Sequence, residues 1–471
     1  MKNKKYDKHL LSRRTFFKVT GTTTATVALS GCGKNPLDSN SAPLDNVPIG
    51  KMAYRENHNT GDKVSLLGFG CMRLPMKVKT KTEEVIDQDA YNELVDDAIK
   101  YGVNYFDTSP VYSQGLSERA TGIALKRHPR NKYFVATKMS NHRPPGAEEA
   151  AISKALYYNS FKELQVDYFD YYLLHAVGLH GAEDLKKRYL DNGMLAFLLR
   201  EREAGRIRNL GWSFHGAVSV FDQMFTLGVK WDFAQIQLNY MDWKHATGWN
   251  VNAMYLYGKL VEHNIPVVVM EPLLGGRLAQ LNHESAALLK AQRPVDSIAS
   301  WAFRYAATPP HVLTVLSGMT YKEHLLDNLR TYSPLTPLSE EETALLEKVT
   351  EQNLEYPLVS CTDCKYCMPC PYGIDIPGIF VHYNRCVKEG NFAKSRQDEN
   401  FREARRAFLV GYDRNVPKLR QANHCIGCDK CVPNCPQRIK IPQEMARIDT
   451  YVEHLKQGTE FENLLSKTRA G

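Results

Sequence analysis

A net excess of either charge is nearly absent from this chain once its first residues are set aside. Lys and Arg number 60 against 52 Asp and Glu, a formal +8. Much of that excess is local, because Lys2, Lys4, Lys5, Lys8, Arg13, Arg14 and Lys18 face the single acid Asp7 within the first 31 residues. The remainder is close to neutral and carries no electrostatic footprint of a nucleic-acid binder. Long apolar runs are missing too. The Thr/Ala/Val run after Arg14 is too short for a permanent membrane-spanning helix. Cysteine is sparse outside two short runs, where Cys71 and Cys386 read as small packing residues. What is present is ordinary globular composition, 43% apolar and 24% charged over 471 residues. That length suggests two or three domains with a large core.

The two cysteine runs are the densest chemistry in the chain. The first is Cys361, Cys364, Cys367 and Cys370, followed by Pro371; the second is Cys425, Cys428, Cys431 and Cys435, followed by Pro436. A C-x2-C-x2-C turn wraps three sulfurs around one face of an iron–sulfur cube, and a more distant Cys completes the set. The second run has the C-x2-C-x2-C-x3-C-P spacing of bacterial clusters, whereas the first is one residue short before its last Cys. Which run supplies each fourth ligand is therefore left open. Structural zinc would use two C-x2-C pairs or a Cys/His mixture, and cysteines three apart bridge poorly as disulfides. Two 4Fe–4S clusters are the expectation.

The N-terminal segment reads as a targeting signal. Ser12-Arg13-Arg14-Thr15-Phe16-Phe17-Lys18 matches the twin-arginine export pattern. Leu29-Ser30-Gly31-Cys32 resembles a bacterial lipobox, which would make Cys32 a lipid-anchored first residue of the mature chain. The expectation is export by the twin-arginine route to the periplasm or cell surface, with the membrane reached through that anchor. This route carries folded proteins, which suits a protein that receives its clusters before crossing.

Residues 1–32 are thus assigned to the signal and 33–50 to a polar linker. From 51 to 335 short apolar runs alternate with amphipathic helical patterns. Candidate strands are Val64–Gly70, Asn104–Asp107, Tyr133–Lys138, Tyr168–His175, Ile207–Ser213, Phe233–Leu238, Pro266–Glu271 and Val312–Gly318, with helices such as Tyr91–Tyr101, Ser117–Lys126, Ala150–Leu164 and Trp249–His263 between them. Eight such strands predict an α/β fold, a parallel (β/α)8 TIM barrel. A linking helix follows within 336–355, capped by Ser339 with Glu340, Glu341 and Glu342 at its positive end. Residues 356–450 form the two-cluster domain and 451–471 a C-terminal tail. The spacer between the cysteine runs reads as helical around Asn400–Leu409. It is basic (Arg402, Arg405, Arg406, Arg414, Lys418, Arg420), a solvated face with docking of an acidic redox partner protein as the alternative.

In a (β/α)8 barrel, chemistry gathers where strands end. Asp107, Lys138 and His175 close three successive candidate strands, and Tyr112 follows Asp107 closely enough to return over the same mouth. Tyr112 can give a proton to a carbonyl oxygen that is taking up hydride, or act as base in alcohol oxidation. Its pKa of about 10 is expected to be brought down by Lys138, which Asp107 pairs; His175 would hydrogen-bond the carbonyl.

The order resembles that of the aldo/keto reductases over the whole barrel. It is carried by Phe106-Asp107-Thr108-Ser109-Pro110-Val111-Tyr112, Gly115-x-Ser117-Glu118, Ala136-Thr137-Lys138, Leu173-Leu174-His175 and Gly205-Arg206-Ile207-Arg208-Asn209-Leu210-Gly211. With the cluster module, it looks like the ferredoxin-containing branch of that family, and the long spacer resembles the mainly α-helical ferredoxin-like modules. The resemblance implies a small carbonyl or alcohol substrate and a bound NAD or NADP, held tightly because free nicotinamide nucleotides are scarce outside the cytoplasm. It places the nicotinamide carboxamide at Ser213 and Gln235, the pyrophosphate at Leu273, Gly275 and Gly276, and the adenosine at Ser317, Gly318 and Asn328. Phe214, Glu271, Gly318, Met319 and His324 depart from the family pattern. Glu271 stands where an aromatic often stacks on nicotinamide.

One tension follows. Nicotinamide gives up two electrons as hydride, while each cluster takes one. A flavin would mediate; no flavin motif is recognisable, although a barrel mouth can bind FMN without one. The alternative function is an electron-relay or binding subunit whose barrel no longer turns over a nicotinamide.

Overall fold

The computed structural model describes residues 47–80, 83–143, 145–246 and 251–458. The signal segment, Cys32, most of the linker and the end of the tail lie outside them. The described residues between 47 and 458 belong to one compact unit. Eight strands close into a barrel: β1 Leu67–Gly70, β2 Tyr105–Asp107, β3 Phe134–Met139, β4 Phe169–Val177, β5 Ile207–Phe214, β6 Phe233–Gln237, β7 Val267–Met270 and β8 Val312–Ser317. Every neighbouring pair is parallel, and β8 closes on β1 with Val315 opposite Leu67. This is the α/β TIM barrel expected from the alternating pattern, and a mainly helical region follows it.

The barrel interior is filled rather than hollow. Tyr105, Tyr171 and Phe233 meet edge to face with centroids 5.0 and 5.1 Å apart, among Ala136, Leu173, Val268 and Leu313. Aromatic contacts of this geometry add about 1 kcal/mol each beyond area burial. At one end an antiparallel hairpin, Tyr54–Asn57 with Asp62–Ser65, packs against the barrel. Buried Asn57 donates to Tyr171 Oη and Asn209 Oδ1, both at 3.2 Å. The expected strand Val64–Gly70 is therefore two pieces, one in this hairpin and one in β1. A second hairpin, Met76–Thr80 with Glu83–Ile86, lies beyond β1 and was not anticipated.

The linking helix runs Glu340–Leu354 and carries a complete capping box, Ser339 with Glu342, worth about 1 kcal/mol. Arg293 clamps Glu342 through two hydrogen bonds of 2.5 and 2.9 Å. Leu346 and Val349 pack with Leu289 and Trp301 of the barrel helices. The cluster module has its own core, with Phe380, Tyr383, Phe408, Tyr412, Ile448 and Val452 on helices Ile376–Lys388, Phe401–Asn415 and Ile441–Gln457. Each cysteine run ends in Cys-Pro, and six residues past its last Cys an Ile-Pro pair (Ile376-Pro377, Ile441-Pro442) starts a helix. Proline suits the first turn because its missing N–H would be unpaired there anyway.

Candidate active site and cluster sites

Three strand ends bring the expected polar residues together. Asp107 ends β2, Lys138 lies one residue from the end of β3, and His175 precedes a bulge in β4 where Ala176 adopts φ 52°. All three are buried. Lys138 Nζ donates to Asp107 Oδ1 at 2.5 Å and to the Thr108 carbonyl at 2.8 Å. Burial pushes Asp107 up and Lys138 down, and each partner opposes the other's shift. Tyr112 opens a short turn, with its ring 4.9 Å from Lys138 Nζ and edge-on to His175 at 5.9 Å between centroids.

Burial pushes the Tyr112 phenol well up, and the next contributor is Tyr366 of the cluster module. This is opposite to the lowering expected from a cation, because Lys138 sits over the ring face while the surroundings are dry. Desolvation disfavours the phenolate. The buried phenol is thus kept as a proton donor. Burial likewise holds His175 well below its ordinary value, so it is a neutral imidazole. Ser140 Oγ lies 2.5 Å and Ser109 Oγ 3.3 Å from its Nδ1. With Ser140 donating there, Nε2 carries the proton and can donate to a substrate oxygen. Arg188 fixes this strand end, donating to the His175 carbonyl at 2.6 Å and to Asp184 and Asn141.

Behind Lys138, Thr137 Oγ1 donates to Glu118 Oε1 at 2.5 Å. Burial raises the Glu118 carboxyl from 4.5 to about 7. Between those values the folded state holds the extra proton, so this stability is complete below pH 4.5 and falls as pH rises through about 7. The loss is about 3 kcal/mol. Glu118→Gln is expected to raise the apparent Tm of the cluster-loaded protein at pH 8 and leave it unchanged at pH 4, as thermal scans at both values would read.

The residues expected around a nicotinamide dinucleotide also make contacts within the chain. Gln235 Nε2 donates to Asp107 Oδ2 at 3.0 Å, and Ser213 Oγ accepts from the Ala176 amide at 2.9 Å. Asn328 donates to Ser317 Oγ at 2.9 Å. Gly275 and Gly276 adopt φ 67° and 97° in the turn after Leu273. A Cβ placed on Gly275 would lie 2.3 Å from the Thr362 carbonyl oxygen of the cluster module. A Cβ on Gly318 would lie 3.4 Å from the side chain of Arg73. Of the departures from the family pattern, Phe214 packs on Phe221 and Met319 is fully buried. Glu271 takes φ 52° and is raised to about 7 by burial and then by Asp242, against Arg73 and Arg277.

Several participants lacked a sequence signal. Arg143 donates to the Tyr366 carbonyl at 3.2 Å and to Asn434 Oδ1 at 3.1 Å, with its guanidinium 4.7 Å from the Tyr366 ring centroid. His142 meets His175 edge to face at 4.9 Å, and its two ring nitrogens are buried without a partner. His142, Arg143 and Ser140 line a cavity of about 660 Å³ roofed by Tyr366, Cys367 and Cys431. The run Ser140-Asn141-His142-Arg143 directly after a strand end was the one available hint.

The thiols sort into two sets of four. Burial raises Cys361 and Cys364 to about 12 and Cys367 further, and Cys435 is a charged neighbour of all three. Burial raises Cys431 to about 11, and its charged neighbours are Cys425, Cys370 and Cys428. These last four line a small cavity with Ile374 and Met445. The fourth cysteine of each run thus lies beside the first three of the other, the arrangement in which each run's last thiol would complete the other run's set. Among the described residues no group of His, Cys, Asp or Glu closes around a single metal ion; a cube spreads its thiolates over separate corners. The donor sets fit two 4Fe–4S clusters, which would supply one-electron transfer.

Residues 66–351 match the aldo/keto reductase family and residues 360–440 the 4Fe-4S dicluster domain. L-galactose dehydrogenase of Arabidopsis thaliana is 27% identical over 332 residues, 65% of this chain and 98% of that protein. The aldo-keto reductase AKR11C1 from Bacillus halodurans, in its holo form, superposes with a TM-score of 0.51 at 25% identity, covering 63% of this chain and 96% of that one. An aldo/keto reductase from Klebsiella pneumoniae in complex with NADP and acetate shares the fold at 19% identity and a TM-score of 0.50, over 64% and 96% of the two chains. The closed parallel barrel, its buried strand-end residues and these matches lead to one conclusion: this chain belongs to the aldo/keto reductase family of oxidoreductases and carries a 4Fe-4S dicluster domain after its barrel.

Proposed function

We propose that this protein is an exported iron–sulfur oxidoreductase, lipid-anchored at Cys32, that interconverts a small carbonyl compound and its reduced hydroxyl form with Tyr112 handling the proton. The observation that carries the reading is the convergence of Asp107, Tyr112, Lys138 and His175 at one barrel mouth. Lys138 and Asp107 hold a charge pair beneath the Tyr112 ring, and His175 offers a neutral N–H to the substrate oxygen. Oxygen charge developing during reduction is met by that donor, and the phenol, kept protonated by burial, completes the new O–H bond. The Arabidopsis relative's name, L-galactose dehydrogenase, supports hydroxyl–carbonyl chemistry on a small molecule. Export rests on the Arg13-Arg14 pattern and the Cys32 motif.

The nicotinamide that the resemblance implies would supply hydride to the carbonyl carbon when bound, with Ser213, Gln235 and the Gly275–Gly276 turn as the residues to hold it. Gln235 spends one Nε2 hydrogen on Asp107, and a Cβ on Gly276 would meet nothing within 4 Å, while the Gly275 side of the turn touches the Thr362 backbone. Tyr112→Phe tests the proton role. Turnover is expected to fall about 10²- to 10⁴-fold, the usual worth of a positioned acid, with iron content and thermal stability unchanged. Undiminished turnover would sink the reading.

A further inference from the structure

The two cysteine sets stand in different surroundings. In the second, Cys428 is exposed, and Ile426 beside it is 63% exposed. The first set has no exposed thiol: Cys361, Cys364 and Cys367 are half-buried and Cys435 is buried. The barrel covers it. Arg73, just past β1, donates to the Thr362 carbonyl at 2.5 Å and pairs with Asp363 at 3.4 Å. Past β7, the turn at Gly275 is in contact with the Thr362 backbone. Lys388 of the module fastens the same turn, its Nζ donating to the carbonyls of Arg277 and Gln280 at 2.5 and 2.8 Å.

That turn brings Arg277 to the inner set. Its Nε is buried and has no hydrogen-bond partner, which is costly for a charged donor unless a bound group supplies an acceptor. Its charged neighbours are Asp242, then Cys361, then Glu271. Asp242 is already held by Asn239, whose Nδ2 donates to Asp242 Oδ2 at 3.0 Å. Arg277 is in turn the cation beside Cys361. Arg438 stands beside Cys435, but belongs to the module itself. At Cys431 of the outer set the charged neighbours are thiols. The sulfurs of a cluster are the acceptors that the Arg277 N–H lacks, and hydrogen bonds to sulfur, local charge and exposure are what set a cluster's potential.

We infer that Arg277, a barrel residue, serves the inner cluster: it gives its buried N–H and its positive charge to the Cys361 side and holds that cluster's potential up against burial. Reduction adds one negative charge to a cube already bound by four thiolates. Covering the inner set with the barrel penalises that charge, and a fixed cation in a dry contact offsets the penalty. With Arg277 in place, one electron can pass inward, the outer cluster being oxidised as the inner is reduced. Without it the covered cluster is the poorer acceptor and the electron stays at the exposed side, away from the mouth. The barrel thus sets the order of the two clusters. This goes beyond the carbonyl-reducing reading and does not depend on what the mouth converts.

The test is an oxygen-free redox titration of the cluster-loaded full chain, followed by electron paramagnetic resonance, with the two signals assigned through Cys435→Ser and Cys370→Ser. Arg277→Met is expected to weaken reduction of the inner cluster about tenfold, a fall of about 59 mV in its midpoint for one electron. The outer midpoint and the iron content should not change. Asp242→Asn removes the carboxylate beside the guanidinium and is expected to move the inner midpoint the opposite way. If Arg277→Met takes up no inner cluster, the sign of the Asp242→Asn shift decides. An inner midpoint that Arg277→Met leaves in place or raises, one that Asp242→Asn leaves in place or lowers, or equal movement of both midpoints would each overturn the inference.

Discussion

Replacing Cys435 with Ser is expected to abolish the cluster of the first cysteine run while sparing that of the second. Cys435 is 7% exposed and neighbours Cys361, Cys364 and Cys367, whereas Cys425, Cys428 and Cys431 are grouped with Cys370. Iron should drop from about eight to about four per chain, since each set holds one four-iron cube. Cys370→Ser should give the same count by losing the other cluster. The two variants are told apart by which electron paramagnetic signal survives reduction. Cys435→Ser should also free the 361–367 loop from Arg73 and Arg143, because a lost structural metal removes folding energy outright. Limited proteolysis would then cut that loop in Cys435→Ser and not in Cys370→Ser. Loss of the signal belonging to Cys425, Cys428 and Cys431 in Cys435→Ser would refute the crossed pairing.

Lys138→Met is expected to damage both stability and rate. It strands a buried carboxylate, Asp107, with only Gln235 as a partner. Breaking a buried ion pair from one side costs about 3–5 kcal/mol. It also removes the cation under the Tyr112 ring, for a loss in kcat of about 10²- to 10⁴-fold. The informative control is the double variant Asp107→Asn with Lys138→Met. With neither charge left unpaired, most of the apparent Tm should return while turnover stays low. If the single variant unfolds no earlier than wild type, the pair is not the anchor that its geometry describes.

The barrel was legible because its strands are short apolar runs separated by amphipathic helices, and its candidate site residues stand where such runs stop. Asp107, Lys138 and His175 advertise themselves as polar residues at the ends of Tyr105–Asp107, Phe134–Met139 and Phe169–Val177. The two hairpins were hidden for different reasons. Val64 and Leu67 are separated only by Ser65 and Leu66, so the break between the hairpin and β1 leaves little mark in hydropathy. Met76–Ile86 is interrupted by charge and partly exposed, which reads as loop. The roof over the mouth was illegible in principle: Arg143 and Tyr366 are 223 positions apart, and no local pattern couples them. Gln235 shows the same limit. Its type and position suit a carboxamide contact, and the folded chain adds a hydrogen bond from its Nε2 to Asp107 that no local pattern announces. The direction of the Tyr112 shift depended on how dry the surroundings are, and that follows from packing.

A loop that both holds iron and touches the Gly275 turn ties assembly to activity. The Thr362–Tyr366 segment lies between Cys361 and Cys367, so a cluster that gathers those thiols would also set the wall of the cavity that Tyr366 and Cys367 line beside the barrel mouth. Metallation would then be the last step in shaping this side of the mouth, with the 361–367 loop held in place once the first cluster is bound. A cell short of iron would accumulate folded barrels without catalysis, so the pool of working enzyme would follow iron supply without a separate regulator.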